Sequence, residues 1–549
     1  MNARDHRYDT TARLGVDEPA TLAGQRVDVL VIGGGITGAG AARHAAQCGL
    51  RTLLLEAGDF AAGTSSRSTK LIHGGLRYLA MGDVALVRES ALERKSLLAM
   101  APHLTEPRWM LVPARRRRDY LKLRVGIGLY EWLGAVPREE RHRNWNRQAL
   151  AEGEPLLDRE RLPWACVYRE YLTDDARLVL GTLRGAAAHG ASICNYVRVL
   201  AVAESASGST ATVLDERSGA TFEIGARCVV NAAGPWVESL LPADPDASGP
   251  RLHLSKGVHL VVARERLPVR HMVMMTAADG RPVFAIARAG VTYVGTTDTT
   301  HQGGPEHWPE VSASDIGYLI DTVNAHFASV AMTDRDVLAS WAGLRPLINQ
   351  PGKAAREMSR RDEIWRRGTL VTVAGGKLTG FRKMAEAAMA AVAEVLKRDL
   401  TMPTPLEPVA GGDIEDVEVL IEEVGRHYQV DARVATRLVR LYGSEVGQVL
   451  GQRPRPLSPS VYAEEVYWAL DVEGARTLED VVYRRLRAAW FLPDEVAQVV
   501  ERVATLLSEH FDWSEGERLA QIAAVRRRLA DELAFRQVPV SPPSRRSEG

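Results

Sequence analysis

Cysteine is scarce: there are four in 549 residues, at Cys48, Cys166, Cys194 and Cys228, far apart and with no C-x-x-C pair. This spacing excludes a disulfide framework or a zinc ribbon and fits a reducing compartment. Excess charge is also missing. The 69 basic residues face 69 acidic ones, so no global electrostatic reason for binding nucleic acid exists. No apolar run reaches transmembrane length, and membrane contact is therefore expected only at the surface. No D-x-[DN]-x-[DN]-G calcium loop appears in the C-terminal region, and no metal site is expected. Residues 1–24 are polar and mixed in sign, unlike a secretory leader, and read as a flexible arm.

The most informative stretch is Val27–Glu56, VDVLVIGGGITGAGAARHAAQCGLRTLLLE. An apolar run of strand length ends in Gly33-Gly34-Gly35-Ile36-Thr37-Gly38, which satisfies G-x-G-x-x-G. Small residues then dominate a helix as far as Cys48, and a second apolar strand, Thr52–Leu55, closes on Glu56. Gly33 permits the tight turn, Gly35 lets the backbone approach a pyrophosphate, and Gly38 allows helix and strand to pack closely. Amides at the helix start would point at phosphates, and Glu56 stands where an acid holds ribose hydroxyls. Strand, glycines, helix, strand and acid in that order predict a dinucleotide site.

Downstream, Gly63–Leu79 is dense in hydroxyls, glycines and cations and calls for polar partners. Residues 115–147 carry ten basic and four acidic residues, a local excess of six positive charges interleaved with Leu121, Leu123, Val125, Ile127, Leu129, Tyr130, Trp132 and Leu133. This composition suits the anionic headgroup layer of a bilayer or, equally, a solvated face of a core-packed helix. A buried strand ends at Asn231, before Ala232-Ala233-Gly234-Pro235-Trp236. Alternating strands fill 250–350. A last buried strand, Thr369–Ala374, turns through Gly375-Gly376-Lys377-Leu378-Thr379-Gly380 into a helix, with Thr379 as the expected N-cap. Prolines 403, 405 and 408 mark a linker, after which helical patterning continues, with one helix expected over Leu478–Trp490.

TSSRSTKLIHGGLRYL (Thr64–Leu79) resembles a flavin and substrate motif of the respiratory-type FAD-dependent glycerol-3-phosphate dehydrogenases, within the D-amino-acid-oxidase-like flavoproteins. PRWMLVP, DDARLVL, NAAGPW, SKGVHLVV, GTTD, GLRPL and GGKLTGFRKMAE resemble the same family, in the same order, between about residues 25 and 400. One departure is Gly380-Phe381 where the family commonly has Thr-Tyr, which removes two hydroxyls beside the flavin.

The resemblance implies an α/β plus α+β fold. An FAD-binding Rossmann-like domain would take 25–100, 165–249 and 355–400, and an antiparallel-sheet substrate domain 101–164 and 250–354. A linker (401–410), a helical cap or homodimer element (411–536) and a disordered tail (537–549) would complete the chain. FAD would contact Gly33, Gly35, Gly38, Glu56, Thr64, Ser65, Ser66, Lys70, Leu71, Ile72, Gly234, Trp236, Gly376, Lys377, Leu378 and Thr379. Arg345, Lys377, Arg77 and Tyr78 would hold sn-glycerol 3-phosphate, since a guanidinium binds phosphate through two parallel bonds and an ammonium adds a point charge. For the base that takes the hydroxyl proton, His73 leads and His259 competes, with Lys377 a third candidate. Electrons would pass to a membrane quinone from a cytoplasmic enzyme lying on the inner face of the membrane. The alternative acceptor is O₂, giving peroxide.

Overall fold

The apolar run after Arg26 forms the strand Arg26–Ile32, buried from Val29 to Ile32, and the small-residue segment forms the helix Ile36–Gln47. These come from a computed structural model that describes residues 12–16, 18–73, 84–205, 208–241, 251–327, 329–349, 363–400 and 406–537. The strand is central in a sheet ordered Glu363–Arg367, Leu370–Ala374, Thr221–Asn231, Arg26–Ile32, Thr52–Leu55, Ser192–Cys194. Along this path the pairings are parallel except that of the first two strands, which are antiparallel at the edge, and an antiparallel hairpin, Val197–Ser205 and Gly208–Asp215, joins the sheet through Thr221–Asn231. Strands buried on both faces need continuous apolar residues, and Thr52–Leu55 and Leu370–Ala374 supply them. Their C-terminal ends open on one side, where ligands bind in sheets of this kind.

The second sheet runs Thr299–Thr300, Leu252–Ala263, Val291–Gly295, Pro282–Arg288, Met272–Thr276, Thr105–Ala114, Trp164–Thr173, Leu71–Ile72. Val337–Ile348 also pairs with Leu252–Ala263. This sheet is antiparallel except where Met272–Thr276 lies parallel to Thr105–Ala114. The expected domain limits shift accordingly. Leu71–Ile72 and most of Trp164–Thr173, assigned above to the cofactor domain, are strands of this sheet, because Leu71 and Ile72 pair with Leu172 and Tyr171.

Three further expectations are corrected. Leu14, expected in a flexible arm, is fully buried, and its amide donates to Val472 O at 2.8 Å. Val409, expected in a linker, is buried and bonds Met100 O at 2.9 Å. Leu478–Trp490 is not one helix. Asp480–Arg485 is π-helical, Arg487 sits at φ 59°, and Ala488–Phe491 restarts the helix. The left-handed residue breaks the register that 3.6-residue patterning assumes. Residues 1–11 and 538–549, the ends of the arm and tail, lie outside the described residues.

The helical region and the second sheet share one core. Trp341 and Tyr293 from the sheet meet Trp490 and Phe491 from the helices, with ring centroids 5.0–6.3 Å apart. Edge and offset contacts of this kind add to what area burial alone gives.

Candidate active site

A cavity of about 1330 Å³, open mouth included, opens at the strand ends of the first sheet. Gly33, Gly35, Ile36, Glu56, Thr64 and Ser65 line it, as do Ala232–Trp236 and Gly375–Leu378. The glycines are required by close approach. A Cβ on Gly33 (φ +109°) would lie 2.6 Å from Ala232 O, and one on Gly38 only 1.9 Å from Gly33 O. The first is the tight turn that ends the strand Arg26–Ile32 at the cavity. The second is the helix–strand contact, since Gly38 is not in the wall.

Glu56 Oε2 accepts from the Gly34 amide at 2.6 Å and Oε1 from the Gly58 amide at 2.8 Å, which fixes the carboxyl at the cavity edge. Burial pushes its pKa up, opposed by those two amides. Ser65 Oγ accepts from the Ile36 amide at 3.0 Å, and Thr64 Oγ1 donates to Leu344 O at 2.6 Å. The hydroxyl-rich loop is thereby tied both to the first helix and to the substrate sheet.

On that sheet, register brings the distant motifs together. His259 lies opposite Trp341 on one neighbouring strand and Gly295 on the other, and Ser255 lies opposite Arg345. Two glycines make room for these side chains. A Cβ on Gly295 would meet the His259 ring at 2.0 Å, and one on Gly257 would meet Arg345 Nη2 at 2.3 Å. The His259 ring stacks on Trp341 (centroids 4.8 Å, 13°), and its Nε2 is 3.0 Å from Thr69 Oγ1. It is buried, and Nδ1 has no hydrogen-bond partner among the described residues. Burial, then the charges of Lys70 and Arg345, hold its pKa well below the usual histidine value, so the ring is neutral. Arg345 Nη2 donates to Thr296 Oγ1 at 2.9 Å and Nη1 to Thr297 O at 3.2 Å, with Asp298 Oδ1 at 3.5 Å. Its neighbour Pro346 and Lys377 line the same cavity. His73 packs its ring 5.8 Å from Phe284, on the strand next to Gly295, and its carbonyl accepts from Thr379 Oγ1 at 3.2 Å.

Residues 28–393 match the family described as FAD dependent oxidoreductase, and residues 402–518 match the C-terminal domain of alpha-glycerophosphate oxidase. The aerobic glycerol-3-phosphate dehydrogenase of Staphylococcus aureus USA300 is 36% identical over 519 residues, covering 90% of this chain and 93% of that protein. The chain belongs to the FAD dependent oxidoreductases, among the glycerol-3-phosphate dehydrogenases. The crystal structure of glycerol-3-phosphate dehydrogenase from Bacillus halodurans, complexed with FAD, is 34% identical. It superposes with TM-score 0.77, covering 94% of this chain and 97% of that one. L-alpha-glycerophosphate oxidase from Mycoplasma pneumoniae shares the fold alone, at 18% identity, TM-score 0.51, and 70% and 98% coverage.

The cofactor of this oxidoreductase is FAD, and the cavity suits it: a glycine cradle that side chains would fill, a fixed acid, and small residues at 232–234. Of the residues expected to contact FAD, Gly33, Gly35, Glu56, Thr64, Ser65, Gly234, Trp236, Gly376, Lys377 and Leu378 line the cavity. Ser66, Lys70, Leu71, Ile72 and Thr379 do not. Leu71 and Ile72 are committed to the second sheet. The Lys70 ammonium is fully buried against Asp175 and Ser66 O. Thr379 is not the N-cap of the helix Phe381–Leu396, since Gly380 takes that place and the hydroxyl goes to His73 O. Arg77 and Tyr78 lie outside the described residues.

Sequence reasoning missed Ser68, Asp175 and His307 in the wall. His307 stacks on Trp236 at 4.4 Å, and its neighbour Trp308 lies 3.9 Å from the Arg67 guanidinium. The sequence segment GGPEHWPE around them reads only as a loop. Ser68 and Asp175 stood in quoted motifs, TSSRSTKLIHGGLRYL and DDARLVL, which made them findable, whereas His307 stood in none.

Proposed function

We propose that this oxidoreductase converts sn-glycerol 3-phosphate to dihydroxyacetone phosphate and delivers the electrons to a membrane quinone. The observation that supports the reading is Lys377 and Pro346 in the wall of the FAD cavity, with Arg345 next to Pro346 in the chain and the neutral, buried His259 on the adjacent strand. FAD, when bound, supplies the hydride acceptor. Arg345, braced by Thr296 and Asp298, presents a guanidinium whose plane is fixed before a phosphate arrives, and Lys377 adds charge from the cavity wall. With Nε2–H donating to Thr69 Oγ1, the His259 lone pair is at Nδ1, the atom suited to take the substrate hydroxyl proton. A bound phosphate offsets the cationic field that depresses this imidazole, so substrate raises its basicity when a base is needed. The turn at Gly375–Gly380 leads into the helix Phe381–Leu396, whose positive end favours negative charge on a reduced ring.

Support for the membrane comes from the helix Arg117–Leu133. Ile127 and Tyr130 are buried, whereas Leu121, Val125, Leu129 and Trp132 form an exposed stripe at helical spacing, Val125 being 71% and Trp132 74% exposed. Exposed Arg117, Arg118, Lys122 and Arg124 flank it. A monomer has little reason to expose such a stripe, while an anionic bilayer matches both its halves. No helix among the described residues is long and apolar enough to cross a membrane. The double variant Val125→Glu/Trp132→Glu is expected to bind phosphatidylglycerol vesicles at least about tenfold more weakly in a sedimentation assay, since each lost apolar contact costs about 1.5–3 kcal/mol at full burial. Unchanged partitioning would contradict this surface. The reaction itself is tested by steady-state reduction of a soluble quinone analogue: glycerol 3-phosphate should support turnover and glycerol should not. Faster turnover with O₂ alone than with quinone would favour the oxidase instead.

A further inference from the structure

Behind the cavity wall lies a buried cluster drawn from four parts of the chain. Asp175, in the wall, accepts from the Ser68 amide (3.0 Å) and hydroxyl (2.7 Å), from Lys70 Nζ (3.1 and 3.2 Å) and from Arg487 Nη2 (3.0 Å). Asp174 accepts from Arg487 Nε (3.1 Å) and Arg288 Nη2 (2.5 Å), and its other oxygen caps the helix Asp175–Ala188 through the Arg177 amide (3.1 Å). Lys70 comes from the hydroxyl-rich loop, Arg288 from the substrate sheet and Arg487 from the helical region. Lys70 is wholly buried, with Ser66 O at 2.8 Å and the faces of Trp341 and Trp490 at 4.7 and 5.3 Å from its nitrogen.

The cluster holds three cations against two carboxylates. Such a surplus is costly to bury, and burial does push the Lys70 ammonium down to about 7 despite Asp175. For Asp174, burial works in the opposite direction, yet Arg487, Arg288 and Lys70 hold its carboxyl low. A structural clamp alone would need only matched pairs.

We infer that the surplus positive charge of this cluster, to which Lys70 contributes behind the cavity wall at Asp175, raises the reduction potential of the bound FAD, with Arg487 of the helical region bracing Asp175. Negative charge accumulates on the isoalloxazine ring as it is reduced, and in a low-dielectric site a cation one side chain behind the wall favours that state. This rests on FAD occupying the cavity and not on the identity of the substrate.

The test is the midpoint potential of the purified holoenzyme at pH 6, below the value of about 7 to which burial pushes the Lys70 ammonium, measured by reductive titration against a reference dye with no substrate present, together with FAD content. Lys70→Met removes the charge while keeping an apolar side chain of similar length. It should make reduction at least about tenfold less favourable, a shift of about 30 mV to more negative potential for a two-electron couple. Asp174→Asn, which keeps a good N-cap, removes a negative charge from the same cluster and should shift the potential the opposite way. Opposite signs support the inference. Shifts of the same sign, or none in either variant, overturn it, because damage to packing has no reason to reverse sign. If Lys70→Met fails to retain FAD, Asp174→Asn decides alone: a positive shift supports the inference, and a negative or absent one overturns it.

Discussion

Arg345→Ala is expected to raise the KM for glycerol 3-phosphate by about two to three orders of magnitude while leaving the FAD content of the purified protein unchanged. Removing one partner of a desolvated charge pair costs about 2–5 kcal/mol, and each 1.4 kcal/mol is tenfold. The variant also removes a cation beside Asp298, which Arg345 Nη1 and Ser255 Oγ now engage, and the less compensated carboxylate would repel the substrate phosphate further. FAD should be retained because the glycine cradle, Glu56 and the 232–236 segment do not depend on this arginine. Arg345→Lys should recover only part of the loss, since a point charge cannot replace a fork braced at Thr296 and Thr297. The measurement is steady-state kinetics with the absorbance ratio of flavin to protein as the control. Equal loss of binding and of flavin would show that the residue holds the fold and not the phosphate.

His259→Gln is expected to lower kcat by about 10²–10⁴-fold, the usual contribution of a positioned base, with KM changed far less. Glutamine keeps an amide within reach of Thr69 Oγ1 but cannot take a proton near neutrality. The pH profile supplies a second readout. Burial and the nearby cations hold the pKa of His259 well below the ordinary histidine value, so the basic form persists above that lowered value and is lost only as pH falls through it. The acid limb of kcat/KM should therefore sit below the ordinary histidine range, under about pH 6.5. A limb at or above 6.5 that survives in His259→Gln, together with near-normal kcat, would move the role to His73, whose ring packs on Phe284.

How much of this was legible beforehand depended on whether a residue's partners were near in sequence. The strand–glycine–helix–strand unit was readable because its parts are consecutive and each glycine answers a local demand. The gathering of KGVH, GTTD and GLRPL was readable only as a resemblance. Its physical basis, the register that sets His259 beside both Trp341 and Gly295, needs three strands whose order no local pattern encodes. Lys70 shows the opposite case. In a loop of hydroxyls and cations it reads as a phosphate ligand, yet its partner Asp175 lies 105 residues away and turns the ammonium into the core. Thr379 was read as an N-cap for the same reason: its competitor, the carbonyl of His73, is 306 residues distant. The left-handed Arg487 also evades periodicity, because a π-helical turn ending in a non-glycine residue at positive φ leaves the spacing of apolar side chains nearly helical.

The most direct test of the central claim, a flavin cavity joined to a cationic site for a three-carbon phosphoester, is an anaerobic titration of the purified protein with glycerol 3-phosphate, followed by flavin absorbance. The arrangement of Arg345, Lys377 and His259 predicts that the oxidised flavin band bleaches on adding this substrate, with no bleaching by glycerol at the same concentration. A band unchanged by glycerol 3-phosphate in protein that carries its full complement of FAD would contradict it.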